Sequence, residues 1–284
     1  MVPLFMWAGG KTKLIKKYEN ENLLPQNFST YVEPFFGGGA MFIWAKKKCP
    51  NANFIINDKN NEIINIYKSI QSDCEYFLEA LDQICEEYLE ISSYEDRKDF
   101  YYMTRNNYAW NESLTDRERA PILYFMLKTS FNGIWQINKN TNNKFGTPFG
   151  LGNQKIVYDK QNVYDWNAAL VGVKIMSNDF RDFMNTLNLD EDTFIFVDPP
   201  YRDSFCKYGE KFLDNDQIDV LEIAKAPATV LISNKECFDG FWEKNWGGKI
   251  HRFSTTYTAG RRKKSIEDGT FSAYKAEEVL LDNR

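Results

Sequence analysis

Short apolar runs separated by stretches of helical periodicity set the rhythm of this chain. Thr30-Tyr31-Val32, Phe54-Ile55-Ile56, Val173-Lys174-Ile175-Met176, Thr193-Phe194-Ile195-Phe196-Val197 and Ala228-Thr229-Val230-Leu231-Ile232 each read as a buried strand. Glu278-Val279-Leu280-Leu281 reads as a closing strand. After the first run comes a glycine-rich turn, and Ala40-Met41-Phe42-Ile43-Trp44-Ala45 continues from it as an apolar helix. Residues 3 to 67 therefore run loop, helix, strand, turn, helix, strand, helix. Strands alternating with helices predict a parallel sheet with right-handed crossovers.

From about residue 68 to 160 the rhythm changes. Phe77, Leu78, Leu81, Ile84, Cys85 and Tyr88 recur at helical spacing, and 120–127 forms a second apolar helix. The part from 129 to 153 is rich in Asn, Gly, Lys and aromatic residues, which predicts an exposed loop or hairpin. The expected organisation is an α/β unit of residues 1–67 and 161–284, interrupted by a mostly helical insertion at 68–160.

Composition narrows the picture. A chain of 284 residues that is 43% hydrophobic can bury a sizeable core. No apolar run approaches the ~20 residues of a membrane helix. The first residues read as a structured segment and not as a signal peptide. The five cysteines are scattered and the single histidine stands alone, so neither a disulfide frame nor a metal site is expected. Together these point to a cytoplasmic protein. The net charge of −5 opposes binding to phosphates, but Lys249, Arg252, Arg261, Arg262, Lys263, Lys264 and Lys275 gather near the end of the chain. They make either a basic face toward nucleic acid or a solvated loop.

Three segments carry the chemistry. Asp198-Pro199-Pro200-Tyr201 follows a buried strand, where open α/β sheets put ligands. It offers carboxylate oxygens, a stiff backbone without N–H donors, and an aromatic face, which suits a planar amino group. Gly37-Gly38-Gly39 stands between a strand and a helix, where the backbone can approach a ligand closely. Glu33 precedes those glycines and would repel a pyrophosphate but attract a cation. Asp58 follows the second strand about 20 residues later, the usual spacing for an acid that binds ribose hydroxyls. It could equally cap the helix that carries Ile63, Ile64 and Ile66.

With Phe5-Met6-Trp7-Ala8-Gly9-Gly10-Lys11 and Ser177-Asn178-Asp179-Phe180 in their places, the chain resembles the Dam-type DNA adenine-N6 methyltransferases from about residue 5 to 281. The resemblance implies a Rossmann-like S-adenosylmethionine-dependent methyltransferase sheet, and a target-recognition domain in the insertion. It implies S-adenosylmethionine as cofactor and double-stranded DNA as substrate. Asp198 and the Pro199 carbonyl would hold adenine N6, Pro200 would stiffen the loop, and Tyr201 would stack on the base through its ring face. Trp7 and Lys11 would lie against the methionine end of the cofactor, although Trp7 could simply pack. The turn of Glu33, Phe35, Gly37 and Gly39 would line the cofactor pocket, Asp58 would hold the ribose, and Asp179 with Phe180 the adenine.

On the DNA side, Phe131-Asn132-Gly133 resembles the family segment that enters the duplex once the target base is flipped out. Phe131 would be the wedge, unless it is a core residue. Gln136 and Asn138 would lie near base edges, and Arg261, Arg262, Lys263 and Lys264 against phosphates. GATC-specific relatives carry Arg at the place of Gln136, and the 258–264 segment also differs from theirs, so a GATC target is not expected. Rival readings are methylation of cytosine N4, of an RNA base such as adenine or of a protein glutamine, and a DNA-binding relative without activity. A cognate restriction enzyme is a possible partner.

Overall fold

Apolar residues at alternate positions of the strands build the centre of the molecule. The structure, a computed structural model, describes residues 1–7, 9–202, 212–257, 263–264, 271–272 and 274–284. Strands β1 (Thr30–Glu33), β2 (Asn53–Asn57), β3 (Lys174–Met176), β4 (Thr193–Val197) and β5 (Thr229–Lys235) run parallel. They are joined by β6 (Lys249–Tyr257) and β7 (Tyr274–Asp282), with β7 antiparallel to both of its neighbours. The seven strands lie in the order β3-β2-β1-β4-β5-β7-β6. Lys263–Lys264 and Phe271–Ser272 pair as a separate small ribbon.

The period-two pattern divides the core between the two faces of the sheet. Phe194 and Phe196 of β4 join one buried cluster with Tyr31, Phe54, Ile56 and Leu280. Ile195 and Val197 join the opposite one with Val32, Val230, Ile232 and Leu281. Helices α1 (Thr12–Asn20), α2 (Ala40–Lys48), α3 (Asn61–Ser72) and α7 (Lys160–Leu170) add residues such as Tyr18, Phe42, Tyr67 and Trp166 to the first cluster. Helices α8 (Phe180–Asn185), α9 (Asp214–Glu222) and α10 (Phe241–Asn245) cover the second with Phe183, Val220 and Trp242. The parallel sheet expected from the strand–helix alternation, Rossmann-like as the resemblance implies, is therefore present. The order of growth reverses between β1 and β4, which opens a crevice outside their C-terminal ends.

The insertion is built from α4 (Cys74–Glu90), α5 (Tyr94–Trp110) and α6 (Asp116–Thr129). Its Phe77, Leu81, Tyr88, Tyr124 and Phe125 belong to the same buried cluster as Tyr31 and Phe42. The division drawn at residue 67/68 falls inside α3, a helix that packs on both parts.

The segment from 129 to 153 corrects an expectation. It has hairpin character, with isolated bridges between Ser130 and Phe149 and between Ile137 and Phe145. It is not exposed throughout, because Trp135, Phe145 and Phe149 are buried. Aromatic rings supply the apolar area that its few aliphatic residues lack, and Trp135 and Phe145 meet at 5.4 Å. Strand β6 and helix α5 had no clear signal in the apolar pattern. Among the described residues, no helix is long and apolar enough to cross a membrane.

Candidate active site

The chain leaves β4 at Val197 and runs straight into Asp198-Pro199-Pro200-Tyr201 at the reversal point of the sheet. Neither proline has an N–H, so the loop is held through its oxygens. Gln217 of α9 donates to the Pro200 carbonyl at 2.8 Å, and Asn234 of β5 donates to Gln217 Oε1 at 3.0 Å. Both side chains are fully buried. Asp198 Oδ1 pairs with Lys11 Nζ at 2.7 Å. Burial pushes the Asp198 carboxyl above its ordinary range, and the Lys11 ammonium opposes that shift.

Lys11 is buried, and its ammonium also donates to the Gly9 carbonyl at 2.8 Å and lies 4.8 Å from the centre of the Tyr201 ring. It was expected at the methionine end of a cofactor. In the structure it is the counter-charge of Asp198, because a buried ammonium needs a carboxylate partner. Tyr201 in turn donates its hydroxyl to Glu278 Oε2 at 2.6 Å. The Tyr201 hydroxyl therefore has a partner that a stacking role alone would not require.

The glycine turn after β1 forms the next wall. Glu33 is buried and accepts a hydrogen bond from the Tyr31 hydroxyl at 2.7 Å. Burial holds its carboxyl well above the usual range, and the Tyr31 bond works the other way. Gly37 and Gly39 both have positive φ, at 48° and 68°. A Cβ on Gly37 would sit 2.5 Å from Trp7 Nε1, and one on Gly39 would sit 2.7 Å from the Trp166 ring. These glycines therefore make room for tryptophans as well as for any ligand. Packing is part of what Trp7 does, since it also lies 6.2 Å from Trp135.

Asp58 clamps this turn. Its Oδ2 accepts from Gly37 N at 2.8 Å and its Oδ1 from Asn60 N at 2.9 Å. The cap of α3 is Asn60, which accepts from Glu62 N and Ile63 N, so the capping alternative for Asp58 does not hold. Burial lifts the Asp58 carboxyl to about 6 against those two backbone hydrogen bonds. Asn57, wholly buried, donates to the carbonyls of Pro34 and Asn178 and accepts from Asn178 N. It thereby ties the turn after β1 to the segment after β3.

That third segment holds Asp179 and Phe180. Asp179 caps α8 by accepting from Arg181 N at 3.1 Å, and it pairs with Lys59 and Arg181. Phe180 packs on Phe35 at 5.0 Å and on Phe212 at 6.2 Å, a three-ring wall.

The three segments and the N-terminal loop enclose one cleft of about 1290 Å³. Trp7, Lys11, Glu33, Phe35, Gly37, Gly39, Asp58, Asp179, Phe180, Asp198, Pro199, Pro200 and Tyr201 all line it. Among the described residues, no group of three or more His, Cys, Asp or Glu could hold a metal. Phe131, Asn132, Gly133, Gln136 and Asn138 do not line the cleft, but their neighbours Trp135, Ile137, Lys139 and Asn143 do. Phe131 is half exposed and so is not a core residue. Gly133 is buried, and Asn132 adopts a left-handed conformation with φ of 54°. Gln136 is exposed, whereas Asn138 spends its side-chain oxygen on Asn140 N within its own turn. Arg261 and Arg262 lie outside the described residues. Lys263 and Lys264 form a strand of the small ribbon, and their side chains also lie outside what is described.

A carboxylate, two prolines and a tyrosine thus share one cleft with an acid-flanked glycine turn, an order that one enzyme family uses. Residues 7–258 match the family described as D12 class N6 adenine-specific DNA methyltransferase. The chain belongs to that family. It is 32% identical over 265 residues to the type II methyltransferase M.MjaIII of Methanocaldococcus jannaschii, covering 88% of this chain and 90% of that one. The type II methyltransferase M1.LlaDCHI of Lactococcus lactis subsp. cremoris is 28% identical over 93% of this chain and 91% of its own. A DNA adenine methylase of Haemophilus influenzae is 27% identical over 82% and 79%. Among solved structures, a precorrin-6y C5,15-methyltransferase of Geobacter metallireducens covers 97% of this chain and 91% of its own. Its TM-score is 0.40 and its identity 10%, too remote a likeness to carry an argument.

This D12-class methyltransferase also has residues that the motifs do not announce: Phe212 in the wall of the cleft, and Glu278, Gln217 and Asn234 behind it. Glu278 did leave a trace, a carboxylate next to the apolar run Val279-Leu280-Leu281 of a closing strand. Carboxylates are almost never fully buried unless paired, so that position asked for a partner.

Proposed function

We propose that this enzyme transfers a methyl group from S-adenosylmethionine to N6 of an adenine swung out of double-stranded DNA, with the 198–201 loop as its catalytic corner. The observation that carries this reading is the shared cleft. One cavity is lined both by the carboxylates Glu33, Asp58 and Asp179 and by the catalytic tetrapeptide. The donor set fits the cofactor: carboxylates suit its sulfonium and ammonium charges, and the rings of Phe35, Phe180 and Phe212 suit its adenine. Each Asp58 oxygen keeps a lone pair beyond the backbone bond it accepts, which is available to ribose hydroxyls. When bound, S-adenosylmethionine supplies a methyl group that is already strongly electrophilic.

The chain's own residues then supply placement. Asp198 Oδ1 is held by Lys11, which leaves Oδ2 for one amino hydrogen. The Pro199 carbonyl accepts the other. Together they draw the N6 lone pair out of conjugation with the ring and aim it. Tyr201 stacks on the base. N6 lies inside the duplex, so the base must be extruded. Half-exposed Phe131 is suited to fill the gap, and exposed Gln136 to meet a base edge. With Gln136 where GATC-specific relatives have Arg, the target is a site other than GATC. Relatives named type II methyltransferases support a restriction enzyme as partner, and the reading implies a cytoplasmic protein. Residues 68–160 would carry target recognition.

Plasmid from cells that express the wild type or Asp198→Ala, sequenced with detection of modified bases, tests this. The wild type should mark adenine N6 within one short motif, and the variant should leave no mark although calorimetry still detects S-adenosylmethionine binding. Marks on cytosine, or no marks from the wild type, would overturn the reading.

A further inference from the structure

Glu278 is a buried carboxylate beside the catalytic corner, and the proposed reaction gives it no task. It stands in β7, in register with Lys235 of β5 and Phe253 of β6. Its side chain is fully buried, a costly place for a carboxylate. Oε2 accepts the Tyr201 hydroxyl at 2.6 Å, and Oε1 has no hydrogen-bond partner among the described residues. The charged and titratable groups that face it are Lys11 and Tyr18 from α1 and its start, Asp198 and Tyr201 from the loop after β4, and Lys235 from β5. A surface strand would put a carboxylate in water, whereas here it is turned inward to meet one hydroxyl.

The Tyr201 ring is thus held at both ends. Its hydroxyl is fixed by Glu278, and its face lies under the Lys11 ammonium, which is pinned by Asp198 and the Gly9 carbonyl. The backbone just before it is fixed by Gln217 through the Pro200 carbonyl. Asp198 and Tyr201 therefore form one rigid unit, spanned by Lys11.

We infer that Glu278 is a positioning residue for methyl transfer: through the Tyr201 hydroxyl it fixes the plane of the ring on which the target base stacks, and so the angle at which N6 meets Asp198. This rests on the reading of Tyr201 as the stacking floor. A small tilt matters because reactivity depends steeply on alignment of the reacting atoms.

Single-turnover methylation of a duplex substrate, with S-adenosylmethionine affinity measured separately by calorimetry, tests the inference. Glu278→Ala should slow the transfer step about tenfold, the scale of one hydrogen bond to a charged group, and leave cofactor affinity within about twofold. Glu278→Gln keeps an acceptor oxygen and should recover most of the rate. Tyr201→Phe should be as slow as Glu278→Ala, and the double variant no slower than either single one, because both break the same bond. Multiplicative effects, a glutamine variant as slow as the alanine one, or a Glu278→Ala enzyme at full rate would each overturn the inference. If Glu278→Ala does not fold, Tyr201→Phe with and without Glu278→Gln decides, since a full rate for Tyr201→Phe is fatal to it. Tyr201→Ala keeps the outcomes apart: a full rate there sinks the stacking role itself, whereas a slow Tyr201→Ala beside a fast Glu278→Ala sinks only the role of Glu278.

Discussion

Asp198 and Lys11 each need the other, and this sets what a substitution at either can reveal. Asp198→Ala removes an N6 acceptor and is expected to cost about 3 kcal/mol of transition-state stabilisation, the scale seen when one donor of an oxyanion hole is lost. It also leaves a buried ammonium without its carboxylate, and breaking such pairs costs about 3–5 kcal/mol of stability. Asp198→Asn keeps an acceptor for Lys11 and should lose turnover with less loss of stability. Rates beside melting temperatures for both variants separate the two effects, and normal turnover in Asp198→Asn would mean that the charge is not needed. At this scale the cleft was largely legible. The tetrapeptide, the acid before the glycines, Asp58 and Asp179 are local signals at strand ends, and all of them line the cavity. What was not legible depends on distant partners. Glu278 meets a hydroxyl 77 positions away, and Asn57 joins carbonyls 23 and 121 positions away. No short pattern encodes such a meeting. The partner of the Tyr201 hydroxyl went unread for the same reason.

The loops after β1 and β3 would make the cofactor side, and Asn57 at the end of β2 rivets them together. Asn57→Ala would leave two buried carbonyls and one N–H unpaired, with a cost of about 1–3 kcal/mol for such a group. Thermal unfolding should show a clear loss, and cofactor affinity should fall with it because both loops slacken. An unchanged melting temperature would mean that water replaces the amide. Gly37→Ala should act more sharply, since its φ of 48° is strained for any side chain and the new Cβ would strike the Trp7 ring. Displaced fluorescence of Trp7 together with weakened cofactor binding is the expected signature. The strands of the sheet were legible because buried parallel strands are short continuous apolar runs. Helix α5 was not, because only Tyr101, Tyr108 and Ala109 of its residues are buried. Strand β6 was not, because a sheet edge tolerates polar residues such as its Lys249, His251 and Arg252. The 129–153 segment misled because its apolar area is aromatic and scattered, which reads as a loop.

Across the whole molecule, charge links the cofactor and the DNA. In the free protein Asp58 is lifted to about 6 and Glu33 well above the ordinary range, both by burial. A cationic ligand favours the ionised forms, so binding should release protons. Affinity for S-adenosylmethionine should therefore rise as the pH climbs from about 5.5 to 7.5, and calorimetry in buffers of different ionisation enthalpy should detect the released protons. A flat affinity across that range would remove these two acids from the cofactor site. The DNA side carries the opposite problem, because a chain of net charge −5 must approach a polyanion. Arg252 offers little help, since its guanidinium is paired with Glu236 and Glu243. On the proposed reading, the run Arg261-Arg262-Lys263-Lys264 and the cleft-edge Lys139 would supply the cations for the phosphates. Phosphate contacts position a protein without specifying sequence, whereas contacts to base edges specify. Neutralising two residues of that run should therefore weaken binding to all duplexes alike. It should also flatten the salt dependence by about one unit of slope for each phosphate no longer neutralised. Gln136→Ala should leave that slope unchanged and relax discrimination at one position of the site by about 1–3 kcal/mol. Binding at several salt concentrations, set beside a profile of methylated sites for each variant, separates the two. An unchanged site profile for Gln136→Ala would move the reading of the sequence to Ile137 or to the basic run itself, since Trp135 is buried and Asn138 holds its own turn.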